Sequence, residues 1–174
     1  AEYLLTGCSD NTVKLFDCRQ SNDENAQYKK WLVEGEVEKV KWNPNEKYHF
    51  AVGTNGGKVY YFDSCTTEPL WSVDAHEQEI TDMAFNTTTK NAFTTASVDN
   101  YLKVWNMNES ACNLVHSQHC KVAKVYCLDA CPENNWIVGI GGDKRKRNFV
   151  VTNLLDNEEV KKGFEVADAG MEAE

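Results

Sequence analysis

At 174 residues, with 41% hydrophobic and 11% aromatic residues, the chain carries enough apolar surface to bury one well-packed domain, which excludes disorder as the default. Its net charge of −9 gives no global basic footprint for nucleic acid, and no apolar run approaches the ~20 residues that a membrane-spanning helix needs. Seven cysteines, an odd number without framework spacing and with no signal peptide ahead of them, point to a reducing intracellular compartment, in which the glycosylation-like strings at Asn86 and Asn108 are idle.

The first predicted strand runs from Leu4 to Gly7. Asn11 closes a turn, Val13 to Phe16 forms the next strand, and Trp31 to Val33 a third, after a polar loop from Gln20 to Lys30 that has little to bury. A second group follows with Val37 to Trp42, Tyr48 to Gly53, a Gly56-Gly57 turn suited to positive φ, Val59 to Phe62 and Leu70 to Val73. In its first strand Val37, Lys39 and Lys41 alternate against Glu38, Val40 and Trp42, which predicts one apolar face late in the run. The third group holds Ile80 to Phe85, Ala92 to Ser97, a turn at Val98-Asp99-Asn100, Tyr101 to Asn106 and a strand near Leu114. The fourth holds Val122 to Ala130, Trp136 to Ile140 and Phe149 to Thr152, the last two joined by the turn GGDKRKRN. From Asp156 the chain becomes charged, and Asn157 before Glu158-Glu159 reads as a helix start. Seven acids against two lysines over residues 155–174 leave only −4 of the −9 for the rest.

The groups repeat. LFD (Leu15 to Asp17), YFD (Tyr61 to Asp63) and VWN (Val104 to Asn106) are 46 and 43 residues apart, at or just above the ~40–45 residue period of a four-stranded WD-repeat blade. The expected fold is all-β, a WD-repeat β-propeller that is incomplete in this chain, with about three and a half four-stranded blades of an expected seven. Residues 1–35 are a partial blade, 36–74 and 75–118 are blades, 119–154 is a last blade lacking its fourth strand, and 155–174 is an acidic tail, helical or disordered. Such an arc leaves two open flanks. The missing blades are expected N-terminal to Ala1, where the chain starts without Met, and the N-terminal part of the ring is expected to supply the absent fourth strand; self-association is the alternative.

His76, Thr95, Asp99 and Trp105 occupy the relative positions of a buried hydrogen-bonded set, in which each polar atom has a partner. A nucleophilic reading lacks an elbow motif and oxyanion donors, so no catalytic residue is assigned. The first blade keeps Thr6, Asp10 and Phe16 at the matching places, whereas the second has Val52, Gly56 and Phe62 and is expected to be held by packing alone. His116, His119, Cys120, Cys127 and Cys131 are zinc-type residues without zinc spacing, and buried cysteines acting as small hydrophobes fit better; no metal site is assigned. The glycines at 53–57 and 139–142 lack phosphate-loop and dinucleotide spacings, and His76-Glu77-Gln78-Glu79 has Ile80 where a second metal-binding His would stand, so no cofactor is expected. Lys144, Arg145, Lys146 and Arg147 are candidates for an RNA or nuclear-import contact, or form a solvated turn.

LLTGCSDNTVKLFDCR, DAHEQEI with TTASVDNYLKVWN, and LVHSQHCKVAKVYCLDACP followed by Gly141-Gly142 together resemble the periodic tryptophan protein 1 family of WD-repeat proteins, over about residues 4–165 and in its C-terminal part. The resemblance implies a non-catalytic scaffold of ribosome biogenesis and rRNA processing in the nucleus and nucleolus. Its implied partners are proteins of pre-ribosomal assembly and rRNA, and no membrane. A chromatin or histone-binding propeller is the alternative, and a metal-dependent enzyme using the cluster from His116 to Cys131 is the third reading.

Overall fold

Short β-branched and aromatic runs broken by Asn, Asp and Gly replace any helix-period pattern here, and such runs pair as antiparallel strands. The computed structural model describes residues 2–20, 27–143, 145 and 148–164, and in these the runs form four antiparallel sheets. The first sheet is β1 (Tyr3–Cys8), β2 (Thr12–Asp17) and β3 (Gln27–Leu32). The second is β4 (Val37–Trp42), β5 (His49–Thr54), β6 (Lys58–Asp63) and β7 (Trp71–Asp74). The third is β8 (Ile80–Phe85), β9 (Ala92–Ser97), β10 (Tyr101–Met107) and β11 (Cys112–His119). The fourth is β12 (Val125–Ala130), β13 (Ile137–Gly142) and β14 (Phe149–Asn153), after which come a 3-10 turn, Leu154–Asp156, and a short helix α1, Glu158–Gly163.

Every sheet pairs its strands in chain order, so each is a meander, and the fold is an incomplete β-propeller whose blades are these sheets. Three apolar layers lie between blades. Leu5, Val13 and Trp31 meet Val37, Phe50 and Phe62; Tyr61 and Trp71 meet Ile80, Phe85 and Phe93; Leu102 and Val104 meet Val125, Leu128 and Val138. The second and third blades are therefore covered on both faces, which is why all six residues of β9 are buried.

One turn type recurs at one rim. Asn11, Gly57 and Asn100 each stand just before the second strand of a hairpin with φ of 64°, 81° and 76°, a region that Asn and Gly enter at little cost. The loops after β4, β8 and β12 lie at the other rim and are laced together: Asn45 Nδ2 donates to the Asn86 carbonyl at 2.8 Å, and the Thr87 N–H donates to Asn135 Oδ1 at 2.6 Å.

Three expectations are corrected. The alternation in β4 breaks at a bulge between Val37 and Lys39, which returns Val37 to the face of Val40 and Trp42. The same bulge recurs between Ile80 and Asp82 and between Val125 and Cys127, always after the first residue of a blade's innermost strand. Second, β3 begins at Gln27 rather than Trp31, because an outermost strand faces solvent on one side and accepts polar residues such as Lys30, leaving 21–26 of the expected loop outside the described residues. Third, Cys127 is exposed and Cys131 half-buried; only Cys120 of that trio is buried as a small hydrophobe. The helix does follow Asn157, and its buried Val160 packs with Leu154 and Trp136 in the third apolar layer.

Candidate interaction surfaces

The polar set of the third blade is a single chain of hydrogen bonds whose directions follow from donor chemistry. Indole can only donate, so Trp105 Nε1–H donates to Thr95 Oγ1 at 2.9 Å. The Thr95 hydroxyl is then free to donate to His76 Nε2 at 2.8 Å, which puts the ring proton on Nδ1, 2.9 Å from the accepting Asp99 Oδ2. Asp99 is completed by the N–H groups of Tyr101 at 2.9 Å and Glu77 at 3.3 Å. Burial, opposed by Asp99, lowers the affinity of His76 for a second proton, in agreement with a neutral ring. The Thr95 oxygen is fully buried and both its neighbours are engaged, so the set holds structure and has no room for a substrate.

The other blades differ. In the first, Asp10 closes its own turn by accepting from Thr12 N–H at 3.1 Å and Thr12 Oγ1 at 2.5 Å. Thr6 and Phe16, which follow Leu4 on the same face of the sheet, are half-buried. In the second blade Val52 and Phe62 are buried and Gly56 exposed, but packing is not alone: Asn43 Nδ2 donates to Tyr61 OH at 2.7 Å, and Thr54 Oγ1 accepts from Lys58 N–H at 3.2 Å. The Asn43–Tyr61 bond lies toward the other rim, whereas that of Thr54 stays at the Gly57 turn.

The residues from His116 to Cys131 do not converge. His116 Nδ1 bonds Glu159 Oε2 on α1 at 2.7 Å, His119 meets the Tyr101 ring edge-on at 5.3 Å, and Cys131 Sγ donates to Glu133 Oε2 at 3.2 Å. Among the described residues no three His, Cys, Asp or Glu side chains are placed to hold a metal ion. Of the basic turn, Arg145 is exposed between β13 and β14, on the rim of the Asn11 and Asn100 turns; Lys144, Lys146 and Arg147 lie outside the described residues.

Two features had no signal strong enough to single them out. Asp82, buried on β8, accepts from Leu128 N–H of the fourth blade at 3.2 Å and from Met83 N–H at 2.9 Å, while Lys39 and Lys41 of the second blade approach its Oδ1 at 3.7 and 3.9 Å. An acid inside the apolar run ITDMAF was the only hint. The second feature is a cleft of about 1020 Å³ between the first two blades, on the rim opposite the basic turn, lined by Tyr3, Leu15, Lys29, Trp42, Lys47 and Tyr48. Trp42 also lines a second cleft of about 370 Å³, with Met83, Phe85 and Leu128, so the two share a wall.

Residues 2–150 match the family model of the nucleolar protein 10-like, N-terminal domain, a β-propeller. The Periodic tryptophan protein 1 homolog of Drosophila melanogaster is 37% identical over 170 residues, which are 97% of this chain and 37% of that protein. The Ribosome biogenesis protein WDR12 homolog of Dictyostelium discoideum is 32% identical over 81 residues, 43% of this chain and 16% of that protein. The chain thus spans little more than a third of the first relative and less of the second. Among solved structures, a chain of the Mitotic Checkpoint Complex superposes with a TM-score of 0.75 over 89% of this chain and 45% of that one; at 15% identity the likeness is one of fold.

Proposed function

The chain belongs to the nucleolar protein 10-like, N-terminal domain family of β-propellers and to the periodic tryptophan protein 1 family of WD-repeat proteins, and from that premise we propose that it is a non-catalytic scaffold of ribosome biogenesis. The observation that carries the proposal is the 37% identity extending over 97% of the chain, with a second relative named for ribosome biogenesis. The geometry supports it. The His-Asp-hydroxyl set found among the described residues is consumed inside the third blade, while rims and clefts are what the molecule offers to others. The partners proposed are proteins of pre-ribosomal assembly and rRNA, met in the nucleolus, with the turn at Lys144 to Arg147 as an RNA or import contact. Depleting the protein is expected to cause precursor rRNA to accumulate, and a tagged copy is expected to localise to nucleoli; normal processing after depletion would remove the proposal.

A second reading has its own observation. Glu36, Glu38 and Glu79 gather on the rim of the Asn11 and Asn100 turns, closely enough that Glu38 is held above the ordinary carboxyl range, by burial first and then by Glu79 and Glu36. Such a rim suits a basic tail. Titration with histone-tail peptides separates the readings, since a scaffold confined to pre-ribosomes shows no saturable binding.

A further inference from the structure

Three cation–π contacts gather around the larger cleft. Arg19 Cζ lies 5.6 Å from the Tyr3 ring centre, Lys29 Nζ 5.1 Å from Trp31, and Lys47 Nζ 5.1 Å from Tyr48. Arg19 is balanced by Asp17 at 2.6 Å and Glu2 at 3.3 Å. Lys29 and Lys47 make no ion pair among the described residues, although Lys29 is steadied by the Ser64 carbonyl at 3.0 Å. Two cations without a direct ion pair therefore flank the cleft, in a molecule whose net charge is −9; the one acid of its lining, Glu2, is bonded to Arg19 at 3.3 Å and acts on Lys47 only from a distance. Between them are the partly open ring of Trp42, which is braced edge-on by Phe50 at 5.6 Å, and Tyr48, which is 48% exposed. Flat rings beside ammonium groups offer a base a stacking surface and its phosphate a charge, with no need to read sequence. Trp42 also lines the second cleft, so its ring borders both.

We infer that this cleft binds a short single-stranded segment of RNA, its bases stacked on Tyr48 and Trp42 and its phosphates held by Lys29 and Lys47. The choice of RNA over DNA rests on the ribosome-biogenesis reading; the choice of a stacked, phosphate-bearing ligand rests on the rings and lysines alone. An acidic peptide would use the lysines but gain little from the ring faces. The site stands on the rim opposite the basic turn, so the two candidate RNA contacts are separable by substitution.

The test is fluorescence anisotropy of a labelled 12-nucleotide single-stranded RNA against the purified protein over a series of salt concentrations, with ultraviolet cross-links mapped by mass spectrometry. Tyr48→Ala is expected to weaken binding roughly tenfold, within the range that losing one stacked base produces, whereas Tyr48→Phe keeps it. Lys47→Ala is expected to flatten the logarithmic salt dependence by about 0.7, the share of one phosphate on a single strand, and Lys47→Arg to restore it. Cross-links are expected at Trp42 and Tyr48. Wild-type affinity for Tyr48→Ala, loss of binding on Arg145→Ala instead, or an acidic peptide that binds the cleft where RNA does not would each overturn the inference. Absence of RNA binding at the cleft, with pre-rRNA processing still dependent on the protein, sinks this site alone. Processing indifferent to depletion sinks the functional reading and leaves the anisotropy result to stand by itself.

Discussion

His76 is the residue at which burial and charge oppose each other most directly. Its side chain is fully enclosed, and burial holds the imidazole below its ordinary value of 6.5 even though Asp99 and its hydrogen bond pull the other way. The native ring is therefore neutral while the unfolded chain takes up a proton as the pH drops through 6.5. With more protons on the unfolded state, stability declines on acidification below that value. Asp99 acts further down: burial works against its charge, but the Tyr101 N–H, His76 and the Glu77 N–H together hold its carboxyl below 3.8. Its contribution is complete above 3.8 and is lost as the pH falls through the lower native value. Two outcomes follow at this scale. His76→Ala and Asp99→Ala each lose about 1–3 kcal/mol of stability at neutral pH, because each orphans buried partners. The melting temperature of the wild type falls between pH 7 and 5 more steeply than that of His76→Ala; parallel curves for the two proteins would contradict the neutral-ring account.

The turns are where element and residue meet. Gly57 has φ of 81°, and a Cβ added there would stand 2.1 Å from the His76 carbonyl oxygen and 2.7 Å from that of Gln78. Its own carbonyl accepts from the N–H groups of Ala75 and His76 at 3.0 and 2.9 Å, so the hairpin of the second blade positions the histidine of the third. Gly57→Ala is expected to cost about 2 kcal/mol or more, from the left-handed backbone and the backbone clash together. Gly56→Ala, with nothing nearer than 4.0 Å, is expected to be close to neutral; equal denaturation midpoints would refute the distinction. What was legible in the sequence divides along the same line. Turn chemistry is local, so Asn11, Gly57 and Asn100 announce the hairpins and the 46 and 43 residue spacings announce the blades. A bulge is not local chemistry. Glu38, Thr81 and Tyr126 share no residue type, and the bulges at their positions appear only when the innermost strand is laid against its neighbour. The start of β3 at Gln27 was hidden for a related reason, since an outermost strand needs no apolar alternation on its solvent side. The cleft was beyond reach because Tyr3 and Lys29, far apart on the first blade's chain, and Tyr48 of the second meet only in the folded arc.

At the scale of the molecule, stability is a matter of how blades hold to each other. Three apolar layers do most of it, and the terminal blades keep large side chains in the open: Leu4 and Leu32 are 54% and 74% exposed at one end, Phe149 and Val151 61% and 58% at the other. Purified alone, the chain is expected to associate as its concentration rises, and Leu32→Lys with Phe149→Lys to suppress this in sedimentation; a concentration-independent monomer would count against it. Asp82 adds a polar tie from the third blade to both its neighbours that the layers do not supply. Its carboxylate joins the Leu128 N–H of the fourth blade to the two lysines of the second, but these links are not equal. Lys39 and Lys41 are 37% and 48% exposed and stand 3.7 and 3.9 Å away, so water shares their charge and each is worth less than about 1 kcal/mol. The Leu128 N–H is buried and has no water to turn to, so losing its acceptor costs about 1–3 kcal/mol. Asp82→Ala is therefore expected to lower the midpoint of denaturant unfolding clearly and to speed hydrogen exchange at Leu128. Lys39→Ala should leave both nearly unchanged. If the lysine variant proved as damaging as the aspartate variant, the blades would be held here by charge across the interface and not by the buried amide.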